Sequence, residues 1–331
     1  MPYKIIKYSQ RYLDSIVDLW MSNGYFKNIS RNKLKMHLKW KYNSNFTTLW
    51  IAEQRGMVLG SCGRIFYPII INGRFIIKSY WGVDSLVDKN AIDKNKLFVF
   101  FRVYRKAYRK KDEDIGFCFP NNRVKTLYLN TGWAAVNGLD KFSKSIVSEG
   151  RRGLKTNKTA SGGLKFFWVD KFQSRWNNML RKICVKYALT AYRNSRYLNW
   201  RYSGCHYKRY AILMAKKNSG IKGYMVLELS ADKGARRGLI VDLLIDPQDR
   251  RLFDDFIYYA VNFFQNNKAG IIEFYTINSG FKNRLISLGF KRTDEVDFLI
   301  LINKEKHPEE LLNNPGKWHI VAGDGDFEME G

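Results

Sequence analysis

The chain of 331 residues contains no long apolar segment. No stretch approaches the roughly 18 to 20 apolar residues that a membrane-spanning helix requires. The N-terminal sequence MPYKIIKYSQRYLDSIV also lacks the apolar core of a secretory signal peptide. We therefore expect a cytoplasmic protein, with peripheral association at the inner face of the membrane as an alternative.

Cysteine and histidine are scarce, and neither is spaced like a reactive or metal-binding site. The cysteines form no CxxC pair, so neither a disulfide framework nor a zinc site is indicated, and we expect reduced thiols in the core. The histidines lack metal-ligand spacing, so we expect surface groups and no bound metal. Spacing supports neither Ser-His-Asp nor Cys-His hydrolysis. These residues are Cys62, Cys118, Cys184, Cys205, His37, His206, His307 and His319.

Acidic residues are few relative to basic ones. The 57 Lys and Arg residues outnumber the 30 Asp and Glu residues, which gives a formal net charge of +27. Such a charge suits polyanionic partners such as tRNA, an anionic membrane surface or phosphorylated substrates. A solvated basic surface explains it equally well, so charge alone identifies no ligand. The 45% hydrophobic content indicates a folded chain.

The sequence repeats a set of short landmarks in the same order. Leu-x-Trp-basic-Tyr occurs in HLKWKY and in YLNWRY, a strand pattern later ends in Val-Asp, and a helix pattern then closes with Gly-aromatic. The separations between equivalent landmarks are nearly constant, at 160, 158 and 157 positions. This constancy predicts a duplicated domain. The landmarks are Trp40 and Trp200, Asp84 and Asp242, and Gly132 and Gly289.

Each half alternates strand and helix patterns. A hairpin is followed by strand, helix, strand, helix and a last strand, which predicts an α/β (α+β) fold with a mixed central sheet flanked by helices in each of two domains. Residues 143–163 are rich in Ser, Gly, Thr and Lys, as expected of a linker. We predict a first domain at 1–145, a linker or loop at 146–163, and a second domain with an acidic tail at 164–331.

This order of elements resembles two tandem copies of the GNAT fold, the Gcn5-related N-acyltransferases. More narrowly, the chain is similar to bacterial tandem GNAT proteins associated with exopolysaccharide and lipid-carrier assembly. The similarity covers most of residues 3–327, and its specificity comes from the order of short motifs. The matching motifs are FCFPN (117–121), YLNWRY (197–202), and Trp318 followed by Gly323, Asp324 and Asp326.

The resemblance implies an acyl-CoA or acetyl-CoA donor, or an acyl-carrier protein. In the family, the loop after the Val-Asp strand and the N-terminus of the next helix hold the donor pyrophosphate. The family's loop is glycine-rich, whereas DKNAIDKNKLF (88–98) and DPQDRRLFDDF (246–256) contain no glycine. The candidate donor-binding residues are Val87, Lys94, Asn95, Lys96, Leu97, Arg102 and Asn121.

The resemblance also assigns candidate catalytic residues. Tyr128, in TLYLNTGW, matches the position of the family's general acid, and Leu285 replaces it in the second copy. Asp84 is a candidate base, although an acidic strand end satisfied by backbone donors is an alternative. Asp242, Trp40 and Trp200 are candidate substrate residues, and the tryptophans could equally fill the core. The basic segment 102–111 could grip phosphates or form a solvated helix face.

Three functions are compatible with these features. The first is acyl transfer from acyl-CoA to an amine or hydroxyl of an envelope polysaccharide or lipid precursor, with a small or lipid-linked sugar as the acceptor. The second is a Fem-like transferase that takes its donor from aminoacyl-tRNA, which would account for the basic charge. The third is a catalytically inactive GNAT-like scaffold that binds a partner.

Overall fold

The computed structural model describes residues 3–24, 29–89, 93–108, 115–146, 163–232, 235–303 and 313–325. The predicted linker therefore lies outside the described residues except for its two ends. Within the described ranges, no helix is both long and apolar enough to cross a membrane.

The first half follows the alternating patterns of its sequence. Arg55 and Gly56, which join β2 to β3, both have positive φ angles (51° and 82°), as a two-residue type I′ hairpin requires. The elements are β1 (Lys4–Lys7), α1 (Leu13–Ser22), α2 (Arg31–Tyr42), β2 (Thr47–Gln54), β3 (Met57–Phe66), β4 (Ile69–Ile71), β5 (Phe75–Ile77), β6 (Ser79–Val87), α3 (Asp93–Tyr108), β7 (Ile115–Cys118), α4 (Asn122–Leu129), β8 (Ala134–Ala135) and β9 (Asp140–Ser145).

The second half repeats the main part of this order, with an additional strand, β11, between its first two helices and no counterpart of β4 and β5. The Asp249 side chain caps α7 by accepting a hydrogen bond from the Leu252 amide at 3.0 Å. The elements are β10 (Leu164–Val169), α5 (Asn177–Cys184), β11 (Leu189–Ala191), α6 (Ser195–Leu198), a π-helix (Asn199–Ser203), β12 (Tyr210–Lys217), β13 (Gly220–Asp232), β14 (Ala235–Ile245), α7 (Arg250–Asn266), β15 (Ala269–Thr276), α8 (Ser279–Ser287), β16 (Lys291–Glu295), β17 (Leu299–Ile302) and β18 (Trp318–His319).

Each half donates one strand to the sheet of the other half. The first sheet has the order β1-β2-β3-β6-β7-β17-β8, and the second has the order β10-β12-β13-β14-β15-β9-β16. Phe117 thus pairs with Ile300, and Phe142 pairs with Phe274. A cut at residue 145 would separate β9 and β17 from the sheets that contain them. The linear domain boundaries stay a prediction, and the two sheets are interlocked.

A smaller sheet joins the halves a second time. Its order is β18-β11-β4-β5, so that a hairpin of the first half pairs with strands of the second. The turn of this hairpin is anchored because the Asn72 amide donates to the Ala188 carbonyl at 2.7 Å. The largest hydrophobic cluster accordingly contains side chains from both halves, including Trp81, Phe298 and Trp318.

Two sequence expectations are corrected by this architecture. The last strand of the first half was expected to start near Trp133, but β9 starts at Asp140 and pairs with the other half. His37 and His319 were expected at the surface, yet both are buried, whereas His206 is exposed and His307 lies outside the described residues. The cysteines, by contrast, are buried thiols as predicted.

Candidate active site

The strand β6 contains a bulge at the Val-Asp landmark, residues 83–84. It runs parallel to β7 from Ser79 to Gly82, and beyond this point only β6 continues. Its pairing with β3 gains one residue between Val83 and Leu86, and Asp84 has a φ of 52°. The two strands therefore separate, and we call the space between residues 83–87 of β6 and helix α4 the first crevice.

The repeated pentapeptide closes one side of this bulge. The Lys41 ammonium lies 2.8 Å from Asp84 Oδ2, and the Tyr42 hydroxyl donates to the same oxygen. The side chains of Lys41 and Asp84 are only 1% and 7% exposed. An ion pair so buried holds the bulge in place, because separating its charges would leave one of them without compensation.

Tyr128 lies at the first crevice within a chain of hydroxyl and thiol groups. Its hydroxyl is 2.7 Å from Ser85 Oγ and 3.4 Å from the Tyr108 hydroxyl, and Ser85 Oγ is 3.2 Å from Cys62 Sγ. Burial raises the pKa of the Tyr128 hydroxyl well above its ordinary value. Burial likewise raises the pKa of the Cys62 thiol to about 11. Tyr128 is therefore protonated at neutral pH, and its hydroxyl has a proton to donate.

The other candidates for donor binding are spread around α3 and α4. Val87 is half-buried at the end of β6, and Asn121 accepts a hydrogen bond from the Val124 amide at 3.2 Å at the start of α4. Arg102 is exposed and lies over the rings of Tyr3 and Phe98, about 13 Å along α3 from its first residue. A role for Arg102 in donor binding therefore stays a prediction.

The remaining donor candidates occupy the first turn of α3. Its backbone is described from Asp93 onward, whereas residues 90–92 and the side chains of 93–97 lie outside the described part of the structure. The predicted donor residues in this turn are Lys94, Asn95, Lys96 and Leu97. Among the described residues, no group of His, Cys, Asp and Glu could hold a metal ion.

The second half has an equivalent bulge with different surroundings. One residue is inserted at Val241, next to Asp242. The Tyr202 and Tyr224 hydroxyls donate to Asp242 Oδ2 at 3.1 and 2.8 Å, and Arg193 Nε donates to the same oxygen at 3.1 Å. Asp242 is 1% exposed. It is enclosed by protein groups and does not face a substrate, contrary to the expectation for this residue.

We call the space beside the equivalent end of β14, at residues 241–245, the second crevice. The C-terminal segment, residues 318–325, fills it. The Ile277 amide donates to the Ile320 carbonyl at 3.3 Å, and His319 Nε2 donates to the Leu243 carbonyl at 2.7 Å. Leu243 and its two successors on β14 are consequently fully buried. The equivalent residues of β6, 85–87, stay half-exposed. The two crevices thus differ in access, and the first is the more open one.

Two buried arginines hydrogen-bond to the C-terminal segment. Arg193 Nη2 donates to Asp324 Oδ2 at 2.8 Å, and Arg201 donates to the Gly323 and Gly325 carbonyls at 3.3 and 2.5 Å. Burial alone would lower the pKa of Arg193, but the charges of Asp242 and Asp324 raise it. Sequence reasoning did not find Arg193, Ser85 or Lys41. For Lys41 a signal existed, since both pentapeptides place a basic residue before the tyrosine.

The tryptophans of the pentapeptides meet each other. The Trp40 and Trp200 rings are stacked with centroids 5.2 Å apart and planes inclined by 10°. The Trp40 indole also donates to the Trp200 carbonyl at 3.0 Å. Both candidates for substrate contact therefore lie at the junction between the copies, half-buried against one another.

Comparison with solved structures identifies the fold. The chain is similar to a GCN5-related N-acetyltransferase from Anabaena variabilis (TM-score 0.67, 10% identity, covering 91% of this chain and 72% of that chain). It is also similar to a tandem GNAT protein from the clavulanic acid biosynthesis pathway (TM-score 0.58, 10% identity, 91% and 98% covered). N-myristoyltransferase from Saccharomyces cerevisiae gives a TM-score of 0.59 at 10% identity, with 91% and 80% covered.

These likenesses extend over most of the chain and show a GNAT fold with a tandem arrangement. No protein-family model matches the sequence, and no curated protein matches it.

Proposed function

We propose that the chain is an acyltransferase with a single donor site in the first crevice, which uses acyl-CoA or acetyl-CoA. The observation that carries this proposal is the contrast between the crevices. The first has the Ser85 hydroxyl beside a half-buried strand end, and the buried Tyr128 hydroxyl lies 2.7 Å from Ser85 Oγ. The second is filled by residues 318–325. The shared fold with acetyl- and myristoyltransferases supports the same assignment.

The filled second crevice supports the fit of a thioester donor in the first. Its occupant is a peptide segment that contacts both sides of the gap, through the His319 ring at the Leu243 carbonyl and through the Ile320 carbonyl at the Ile277 amide. The amide-bearing arm of coenzyme A has similar width and similar hydrogen-bonding groups. The first turn of α3 would hold the pyrophosphate, because a helix N-terminus favours anions through its backbone amides. When bound, the donor supplies an activated acyl group.

Tyr128 is assigned the role of general acid. The acceptor amine or hydroxyl attacks the thioester carbonyl, the carbon–sulfur bond breaks, and the departing thiolate takes the Tyr128 proton. A buried phenol is a weak acid, but burial also strengthens the thiolate as a base, as the raised pKa of Cys62 in the same network illustrates. Tyr128 regains its proton from water through Ser85, whose hydroxyl takes up one proton as it passes another across their hydrogen bond.

Asp84 is better suited to positioning than to proton abstraction. Its Oδ2 atom is shared by the Lys41 ammonium and the Tyr42 hydroxyl, and its side chain is 7% exposed. A carboxylate that is stabilised by a cation and a donor is a poor base. In this proposal Asp84 fixes the backbone of the bulge, and the acceptor loses its proton to another group or to water.

The acceptor class follows from the resemblance to tandem GNAT proteins of envelope assembly. We propose an amino sugar or hydroxyl of a polysaccharide or lipid-linked precursor. Such precursors lie at the inner face of the cytoplasmic membrane, and the net charge of +27 would favour an anionic membrane surface there.

Thiol release tests the activity. Purified protein is incubated with acetyl-CoA or longer acyl-CoA and amino-sugar acceptors, and free thiol is measured. Tyr128→Phe should lower the rate about 100-fold or more, as expected for loss of a general acid. Tyr258→Phe, on α7 away from both crevices, serves as the matched control. Equal rates for Tyr128→Phe and the wild type would remove Tyr128 from the mechanism. No release with any donor would contradict the acyl-CoA proposal.

The net charge supports a second candidate, a Fem-like transfer from aminoacyl-tRNA. It predicts tRNA binding whose affinity falls steeply with salt, because phosphate contacts release counterions. Absence of binding at low salt would contradict it. A chain that neither releases thiol nor binds tRNA would match the third candidate, a GNAT-like scaffold.

A further inference from the structure

The second half carries a cleft of about 630 Å³ that belongs to neither crevice. It lies between the turn after β10 and the start of α6. We call it the basic cleft and define it by the six lining residues used below. These are Lys171, Ser174, Arg175, Ser195, Arg196 and Asn199.

The cleft concentrates positive charge that makes no ion pair within the part of the chain that the structure describes. Lys171, Arg175 and Arg196 are all exposed, and none has a carboxylate oxygen within 4.0 Å among the described residues. The guanidinium of Arg196 lies over the Phe46 ring, 5.5 Å from its centroid, which leaves its N–H groups available at the edge. Three such cations around one concavity attract an anion.

The equivalent region of the first half shows that this charge is not a general property of the fold. There, α1 and α2 also bring cations together, but Arg31 pairs with Asp14 at 3.1 Å and with Asp18, and Lys35 pairs with Asp14. In the second half, α5 begins with Asn177 and an adjacent asparagine instead of acids. The two copies have therefore diverged, and only the second leaves its cations without acidic partners in the described structure.

The floor of the cleft is rigid and offers an additional donor. Ser195 is 6% exposed, and its amide donates to Asn177 Oδ1 at 2.8 Å. Its hydroxyl makes no hydrogen bond with the described residues. Asn199 exchanges two hydrogen bonds with the Phe172 backbone, at 2.7 and 2.8 Å. The Ser195 hydroxyl oxygen retains contact with solvent, so it is available to donate a hydrogen bond to a ligand in the cleft.

We propose that the basic cleft binds the phosphate or pyrophosphate group of a small ligand. Such a group carries enough negative charge and enough acceptor oxygens to engage both guanidinium groups, the ammonium and the Ser195 hydroxyl together. A single carboxylate would leave most of these donors unused. The volume lies within the roughly 300 to 1,000 Å³ of small-molecule sites, so the ligand extends beyond a bare anion. A phosphorylated sugar or a lipid phosphate has these features.

Calorimetric titration with inorganic pyrophosphate at constant ionic strength tests the proposal. The titration contains no coenzyme A, because its own pyrophosphate would compete for the cleft; any pyrophosphate binding at the first crevice persists in the cleft variants and is measured there. The double variant Lys171→Ala/Arg175→Ala should bind at least about 10-fold more weakly, and Ser195→Ala should lose about 3-fold, as expected for loss of charged and neutral donors. Arg181→Ala/Lys182→Ala, on the same helix layer but outside the cleft, should bind like the wild type.

Two further arms separate the ligand sources. Binding of glucose 6-phosphate that depends on Arg175 would indicate a soluble phosphate ester. Binding only to phosphatidylcholine vesicles that contain phosphatidic acid would indicate a lipid phosphate. Equal pyrophosphate affinity in the wild type and the cleft double variant, with unchanged thermal midpoints, would overturn the proposal. Because no arm measures turnover, this outcome is independent of whether the chain transfers acyl groups.

Discussion

Trp40 and Trp200, which occupy the same position in the two sequence repeats, are stacked on each other at the junction between the halves. Residues that are equivalent in two copies can meet only close to an axis that relates the copies. The reciprocal exchange of β9 and β17 obeys the same relationship. The pentapeptide repeat therefore marks a pseudo-twofold interface inside one chain, and its tryptophans stabilise that interface.

A double-mutant cycle measures this contact. Trp40→Ala and Trp200→Ala should each destabilise the protein, and their coupling energy should be about 1 kcal/mol, as for other stacked aromatic pairs. The hydrogen bond from the Trp40 indole does not confound the cycle's second step, because its acceptor is the Trp200 backbone carbonyl. Urea unfolding supplies the free energies. As the control, Trp40 and Trp168, which lies against Phe263, should show additive effects; equal coupling in both cycles would contradict the interface role.

The sequence predicted the features that depend on local pattern and on repetition. Two mixed sheets with flanking helices follow from the alternation of strand and helix patterns. The Gly-aromatic landmark also has a local cause. Gly132 and Gly289 both have positive φ after a helix, and the following Trp133 and Phe290 amides return to the carbonyls of Tyr128 and Leu285.

The features that were missed depend on contacts between distant segments. No pattern in LILI shows that β17 pairs with β7 of the other half, because a buried strand can join any apolar sheet. The insertion of residues 318–325 beside Leu243 was equally hidden, because the sequence shows only that the end of the chain is acidic. Asp324 does meet Arg193, but in the core and not on the basic surface.

The Lys41–Asp84 pair predicts a strong response to loss of either charge. Asp84→Asn retains a residue that tolerates the positive φ of 52° but leaves the buried ammonium without its carboxylate. We expect a loss of roughly 3 kcal/mol in the free energy of unfolding, and partial recovery in Lys41→Met/Asp84→Asn. Asp14→Asn, in an exposed ion-pair cluster, is the control and should have little effect. Equal small effects at both sites would show that the Lys41–Asp84 pair does not stabilise the bulge.

The cluster around Arg193 predicts an order of destabilisation. One guanidinium lies between the buried carboxyl groups of Asp242 and Asp324, and burial raises the pKa of Asp324 while Arg193 opposes this shift. Arg193→Met removes the cation that bridges the two acids, and we expect a loss of about 3 to 5 kcal/mol. Asp324→Asn keeps the Arg193–Asp242 pair and should cost about 1 to 2 kcal/mol. If urea unfolding gave the reverse order, it would contradict the conclusion that Arg193 compensates both buried carboxylates.

His319 predicts acid lability of the closed second crevice. Burial lowers the pKa of His319 to about 3, and its Nε2–H donates to the Leu243 carbonyl, so the folded protein holds this ring neutral. The unfolded chain has an ordinary pKa of about 6.5 and takes up a proton first. Stability from this group is therefore complete above pH 6.5 and is lost as pH falls toward 3, by about 1.4 kcal/mol per pH unit.

The variant His319→Gln isolates this contribution. Glutamine offers an amide N–H to the Leu243 carbonyl but does not titrate. The slope of the unfolding free energy against pH between pH 6.5 and 3 should therefore decrease by about 1.4 kcal/mol per pH unit. His206→Gln, at an exposed position, should leave the slope unchanged. Urea titrations at several pH values supply the slopes. A slope in His319→Gln that equals the wild-type slope would show that His319 is not the group whose protonation releases the C-terminal segment.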